Sequence, residues 1–340
     1  MTRHVLACAA CTLVLAVPAS SAATARSWAQ PQIVVVTAYG LMGGEASASA
    51  FRPDDPLTWA ELSDLVVGLA GSSTTVAVDP ATPATIAQLD AQLVRALGLL
   101  PVAREFSAGV RAAGLTPPRY FGTEVVARLI GLRVNHPAAQ DRLELRPADP
   151  ATRAEAAYSA ARIVRFNGSE VDFVTRLADT FLLDPVSGLQ HDVLQTAISL
   201  TGYPYVWAGT SEETQDPLDN GKEVPGGFDC SGFVWRVYKL QAYPGAESLP
   251  DTIQGRTTYA MSGEVPPAKR ISFAKLKPGD LLFFGAHGPQ SKPAEIDHAG
   301  IYLGGGWFIH SSEQGVALAA ITADWYGPRF AWARRPLAEY

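Results

Sequence analysis

Residues 297–312, DHAGIYLGGGWFIHSS, constrain the fold more than any other stretch. Apolar and polar residues alternate on either side of three glycines, the pattern of two antiparallel strands joined by a tight turn. If the loop is Gly304, Gly305 and Gly306, Leu303 faces Trp307 and later pairs step symmetrically away from them. His298 then lies opposite Ser312, with His310 diagonally adjacent on the same face of the sheet. A two-residue loop would turn the two imidazoles to opposite faces, because side chains alternate with a period of two. The odd-length loop is therefore the expectation.

A second constraint is the cysteine count. The chain has 340 residues and three cysteines, two of them near the start. There, MTRH is a short basic opening, VLACAACTLVLAV an apolar core and PASSAATA a small-residue stretch. That plan is a secretory signal peptide over residues 1–25, cleaved after Ala25, and implies an exported, cell-wall-associated or extracellular protein. Cleavage removes Cys8, Cys11 and His4 and leaves Cys230 with no partner, so Cys230 is either an inert buried thiol or a reactive one. After residue 30 no run approaches the ~20 apolar residues of a membrane span. The formal charge of -6 argues against nucleic-acid binding.

An internal repeat organises the first half. FRPDDPLTWAEL (from Phe51) and LRPADPATRAEA (from Leu145) match at seven of twelve positions, and PATIAQL from Pro83 is a fainter third copy. In the two clear copies Thr58 with Glu61, and Thr152 with Glu155, have the spacing of a helix-capping box. The runs after them carry helical apolar spacing, so residues 26–187 read as a mainly helical domain that ends in the turn residues DPVSG at 184–188. This segment resembles S-layer homology domains over roughly residues 48–165. The resemblance implies attachment to cell-wall polysaccharide, with Arg153 of the TRAE sequence as the candidate glycan contact; the alternative is a helical packing domain with no ligand.

Residues 188–340 carry the chemistry. Gly226 and Gly227 permit a tight turn before Cys230, which opens the helix SGFVWRVYKL, whose Phe233, Val234, Val237 and Leu240 can share a buried face. A cysteine in the first helical turn sits where free N–H groups and the helix dipole favour a thiolate. His298 and His310 supply a base and a group to orient it. His136, His191 and His287 read as surface residues. His298 and His310 with one distant cysteine have poor spacing for a metal site, and no cofactor is expected.

From His191 to Arg335 the sequence resembles the NlpC/P60 family of bacterial cell-wall cysteine peptidases. The blocks are GYPYVWAGTS, FDCSGFV, GRTTYAMSG, LKPGDLLFF, DHAGIYLG and FIHSS, in family order. The resemblance implies an α+β chain: a papain-like domain of helices packed on an antiparallel sheet, beside the helical N-terminal domain. It implies Cys230 as nucleophile, His298 as base, His310 as its orienter and Tyr205 beside the nucleophile. It also implies Asp229, Ser231 and Arg256 as substrate-binding residues, and hydrolysis of peptidoglycan stem peptides between γ-D-glutamate and diaminopimelate or lysine. The alternatives are a non-catalytic wall-binding scaffold, or an amidase or acyltransferase with the same triad. The insertion at residues 212–226, EETQDPLDNGKEVPG, is longer and more acidic than the family's usual link and could form a flap over the cleft.

Overall fold

The computed structural model describes residues 27–43, 47–71, 78–133, 144–322 and 325–340. The signal peptide expected at residues 1–25 and His136 lie outside the described residues.

The first half is helical: α1 (Gln30–Ala38), α2 (Ala48–Phe51), α3 (Trp59–Ala70), α4 (Ile86–Ala96), α5 (Leu100–Ala112), α6 (Phe121–Leu129), α7 (Arg153–Val164) and α8 (Ser169–Asp179). Helices α3, α4 and α7 each start at a threonine N-cap, Thr58, Thr85 and Thr152, whose side chain accepts the backbone N–H three residues on. Those caps satisfy N–H groups that a helix start leaves without a partner. The faint third copy is structurally equal to the other two, and the three loops close a ring of backbone hydrogen bonds. Leu57 N–H donates to Ala151, Ala151 N–H to Ala84 and Ala84 N–H to Leu57, at 2.7, 2.8 and 2.8 Å. Each repeat thus completes the next, which is why the Pro-rich loop and the threonine recur together.

Arg153 stands inside this ring. It is 6% exposed, with its guanidinium over the Phe51 ring. Its nitrogens donate to Phe51 O, Gly43 O and the Glu61 carboxylate. The expectation of a glycan contact is corrected here: all three nitrogens are committed to joining the first and last repeats.

The second half opens with α9 (Gly188–Ser199), then a two-stranded ribbon, β1 (Thr210–Ser211) with β2 (Gly227–Phe228), and α10 (Cys230–Trp235). After α11 (Thr258–Gly263) come β3 (Leu281–Gly285), β4 (Ile296–Gly304), β5 (Trp307–Ser312), β6 (Gly315–Ala320) and β7 (Phe330–Arg334). These five strands form an antiparallel sheet of order β6-β5-β4-β3-β7. One expectation about α10 fails. Its helix widens into a π-turn at Arg236–Leu240, which rotates Leu240 off the buried face and leaves it 54% exposed, while Phe233, Val234 and Val237 stay buried.

The β4–β5 hairpin keeps the expected parity by a different route. Ile301 pairs Ile309 and Tyr302 pairs Phe308, as an odd-length loop requires. The turn itself is shorter: Gly304, not Leu303, pairs Trp307, and the register shift falls at Leu303. A bulge inserts the extra residue that a third loop glycine was expected to supply.

One hydrophobic core runs through both halves, and a second, smaller cluster around Phe284 and Phe308 covers the other face of the sheet. Trp307, at the hairpin tip, packs against Phe106 of α5 and Phe181, with ring centroids at 5.7 and 5.1 Å, and donates its indole N–H to Thr180 O. A buried ionic network adds a second joint. Arg128 holds Glu124 at 2.7 Å and Glu144 at 3.1 Å and donates to Gly202 O, while Arg133 holds Glu155 and Glu144. Removing one member of such a network leaves a buried charge uncompensated.

Trp307→Ala is expected to cost about 3–5 kcal/mol. Because the core is shared, calorimetry of the full chain should show one unfolding transition that moves as a whole. Two separate transitions, with only one of them shifted, would contradict the shared core.

Candidate active site

Cys230 takes its place from the N-cap before it. Asp229 is extended, and its carboxylate accepts the Gly232 N–H and the Ser231 hydroxyl. Gly232 is required by contact: a Cβ there would stand 1.9 Å from Gly209 O. Arg256 closes the arrangement, donating to Ser231 Oγ at 2.7 Å, to Asp229 at 3.3 Å and to Ala208 O at 2.9 Å. Ala208 has φ +60, a costly backbone state for a residue with a Cβ, and its N–H donates to Asp229 at 2.9 Å. Asp229, Ser231 and Arg256 therefore face one another behind the nucleophile. None of them lines the cleft in front of it. What the structure gives them is positioning of Cys230.

That cleft has a volume of about 830 Å³ and brings together Tyr205, Cys230, His298 and His310. The two imidazoles meet as the strand parity dictates, with His298 Nε2 2.9 Å from His310 Nδ1 and the rings edge-to-face. Gly300, between the strands, makes the approach possible, since a Cβ there would lie 2.6 Å from the Phe308 ring and 3.0 Å from His310 Cβ. Phe308 stacks on His310 at 4.8 Å, and Tyr326 covers both imidazoles. His191 and His287 lie away from the cleft, beside Asp192 and Glu295.

Burial decides the protonation of this group. It lowers His298 to about 4, against the attraction of Asp297, whose carboxylate is held by Arg329. It lowers His310 well below the usual imidazole range, and the neighbouring His298 adds to that. Burial, followed by the Asp229 charge, pushes the Cys230 thiol up to about 12, although the N–H groups of Ala299, Ser231 and Cys230 itself pull it down. Burial thus favours the neutral thiol and the neutral imidazole. Desolvation is the larger effect and outweighs the pull toward thiolate expected from the helix start. Tyr205 is likewise raised by burial, then by Cys230 and Asp229, and remains a neutral donor.

Several cleft residues have no signature in sequence. Tyr326 Oη lies 3.4 Å from His310 Nε2 and extends the line of imidazoles by one polar group. Leu129, Phe173 and Leu177 reach the cleft from the helical half. The aromatic pair Trp325-Tyr326 was the one available clue, but no spacing rule ties a loop aromatic to a histidine two strands away. The insertion at 212–226 is not a flap. It folds back on itself through Gln215 and Val224, is anchored by Glu212 on Arg236 at 2.7 Å, and contributes nothing to the cleft lining.

If the thiol rests protonated, its alkylation by iodoacetamide should accelerate by about tenfold per pH unit between pH 6 and 9, because only the thiolate attacks. A fast rate that stays flat over that range would mean a pre-formed thiolate–imidazolium pair.

Residues 202–335 match the NlpC/P60 family. A γ-D-glutamyl-L-lysine dipeptidyl-peptidase of Bacillus subtilis (strain 168) is 29% identical over 147 residues, covering 43% of this chain and 40% of that protein. The probable peptidoglycan endopeptidase LytE of the same organism is 33% identical over 143 residues, covering 42% of this chain and 33% of that one. An NlpC/P60 family protein of known structure from Bacillus cereus ATCC 10987 is 28% identical, covering 45% of this chain and 42% of that one, with a TM-score of 0.33. The chain thus spans two fifths or less of the length of these two curated relatives, 40% and 33%. The matched segment contains Cys230, His298, His310 and Tyr205, and the C-terminal half of this chain carries an NlpC/P60 family domain.

Proposed function

We propose that this chain is an exported peptidoglycan endopeptidase that cuts stem peptides through a thioester on Cys230. The observation that carries the reading is the hydrogen-bonded His298–His310 pair in the same cleft as a thiol at a helix start. The name of LytE supports the substrate class, and that of the γ-D-glutamyl-L-lysine dipeptidyl-peptidase supports the bond after γ-D-glutamate. The signal-peptide pattern of residues 1–25 supports export.

The chemistry follows from the hydrogen bonds. His298 Nε2 is occupied by His310 Nδ1, which leaves Nδ1 of His298 to act as the base. For that, His298 carries its proton on Nε2 and donates it to His310, and His310 donates its own Nε2 proton to Tyr326 Oη. As Sγ attacks the amide carbon, its proton moves to His298 Nδ1 and charge forms on the carbonyl oxygen. The Cys230 N–H and the Tyr205 hydroxyl are the donors for that oxyanion. His298 then protonates the leaving amine, the C–N bond breaks and a thioester remains. Water, deprotonated by His298, releases the acid and restores the thiol. A resting neutral pair means that proton transfer and attack are coupled, so a substrate that fills the cleft lets the ion pair exist only when it is used.

The test is incubation of residues 26–340 and of their Cys230→Ala variant with stem peptides of defined sequence, products being identified by mass spectrometry. Cleavage after γ-D-glutamate that falls by roughly 10³-fold or more in the variant is expected. Cleavage that survives the substitution, or none by the unmodified chain, would refute the assignment and favour the wall-binding scaffold.

A further inference from the structure

The helical half supplies part of the cleft wall, and α8 is the element that does so. Val174 and Ala178 are buried and hold the helix against the core. Phe173 and Leu177, one turn apart, therefore share a different face, and Arg176 lies within reach of Phe173 at i+3. Phe173 and Leu177 line the catalytic cleft, and Phe173 is 44% exposed, a large apolar ring kept open to solvent in it. Two further recesses, of about 400 and 320 Å³, open on either side of the same helix. Phe173 lines all three cavities and Arg176 lines both flanking ones.

The charges around α8 are not equivalent. Arg162 donates to Ile130 O and lies over Phe166, and Glu170 accepts from Asn167 N and Ser169 Oγ. Arg176 is exposed and makes no ion pair among the described residues. Glu313, also exposed and without an ion pair among the described residues, lines the cleft near Tyr205. An uncommitted cation, Arg176, thus lines the two recesses that flank the cleft, an uncommitted anion, Glu313, lines the cleft itself, and Phe173 borders all three.

We propose that α8 forms a substrate subsite in which Phe173 and Leu177 pack against the peptide and Arg176 binds a free carboxylate of it. Glu313 repels that carboxylate and so fixes which end of the peptide lies toward α8. The ligand class is a stem peptide that bears a carboxylate away from the scissile amide. The subsite rests on the endopeptidase reading above for its ligand and deepens that reading by assigning specificity to the helical half.

The test uses residues 26–340 carrying Cys230→Ala, so that binding is read without turnover. Calorimetry would compare two stem tetrapeptides that differ only in whether the diaminopimelate carboxylate is free or amidated. Arg176→Gln should weaken binding of the free-acid peptide about tenfold, the scale of one charge-assisted hydrogen bond, and leave the amidated peptide nearly unchanged. Phe173→Ala should weaken both. Both side chains are exposed, so neither change threatens folding. An equal effect of Arg176→Gln on the two peptides, no effect on either, or no binding at all overturns the subsite. Turnover by the chain with Cys230 intact is scored separately: a binding difference that persists without any cleavage refutes the reaction and leaves the subsite standing.

Discussion

The register between β4 and β5 is the constraint on which the rest depends. One hairpin does two jobs at its two ends. Its tip drives Trp307 into the aromatic cluster of Phe106 and Phe181, so the sheet and the helical half share a core. Its open end sets His298 against His310 at 2.9 Å. A slip of one residue would turn Trp307 out of the core and separate the imidazoles together, because alternate side chains face opposite ways. The bulge at Leu303 is what reconciles a short glycine turn with that register. Stability and site geometry are in this way selected by the same set of hydrogen bonds.

The same packing sets the chemistry. Phe308, Phe284 and Tyr326 surround the histidines with rings, and the price is an imidazole that is hard to protonate. Desolvation lowers His298 and His310 and raises Cys230, all three toward their neutral forms. The sign for stability follows. His298 binds a proton in the unfolded chain below its ordinary pKa near 6.5 but in the folded chain only near 4, so stability is lost as pH falls through that window. A neutral pair is also a protected one, since a protonated thiol reacts slowly with oxidants and electrophiles.

Much of this was legible before the structure. The tri-glycine alternation implied a hairpin with two histidines on one face, and the threonine-acid spacing at Thr58 and Thr152 implied helix caps. Both are local patterns, with periods of two and of one helical turn, and local patterns are written in adjacent residues. What depends on distant contacts was not. Arg153 looks like an exposed cation in sequence, yet the ring of loops buries it on Phe51 and Glu61. Leu240 fits an α-helical stripe that a π-turn then breaks. The helix start points to a thiolate at Cys230, whereas the desolvation that opposes it comes from contacts distant in sequence, among them Asp297 of β4. Likewise DPVSG at 184–188 reads as a boundary between domains, but a turn says nothing of whether the pieces it joins share a core. That Phe173 of the first half lines the same cleft as His298 of the second follows from that core and from no motif.

The most direct measurement is long-range proton–nitrogen NMR of the histidine side chains in the full chain, labelled at histidine and titrated from pH 4 to 8. His298 should stay neutral down to about pH 4, with its proton on Nε2 and Nδ1 free to accept one. His310 should also stay neutral across the range, with its proton on Nε2. A His298 that titrates near 6.5, or one that holds its proton on Nδ1, would contradict a buried neutral pair poised to take the thiol proton.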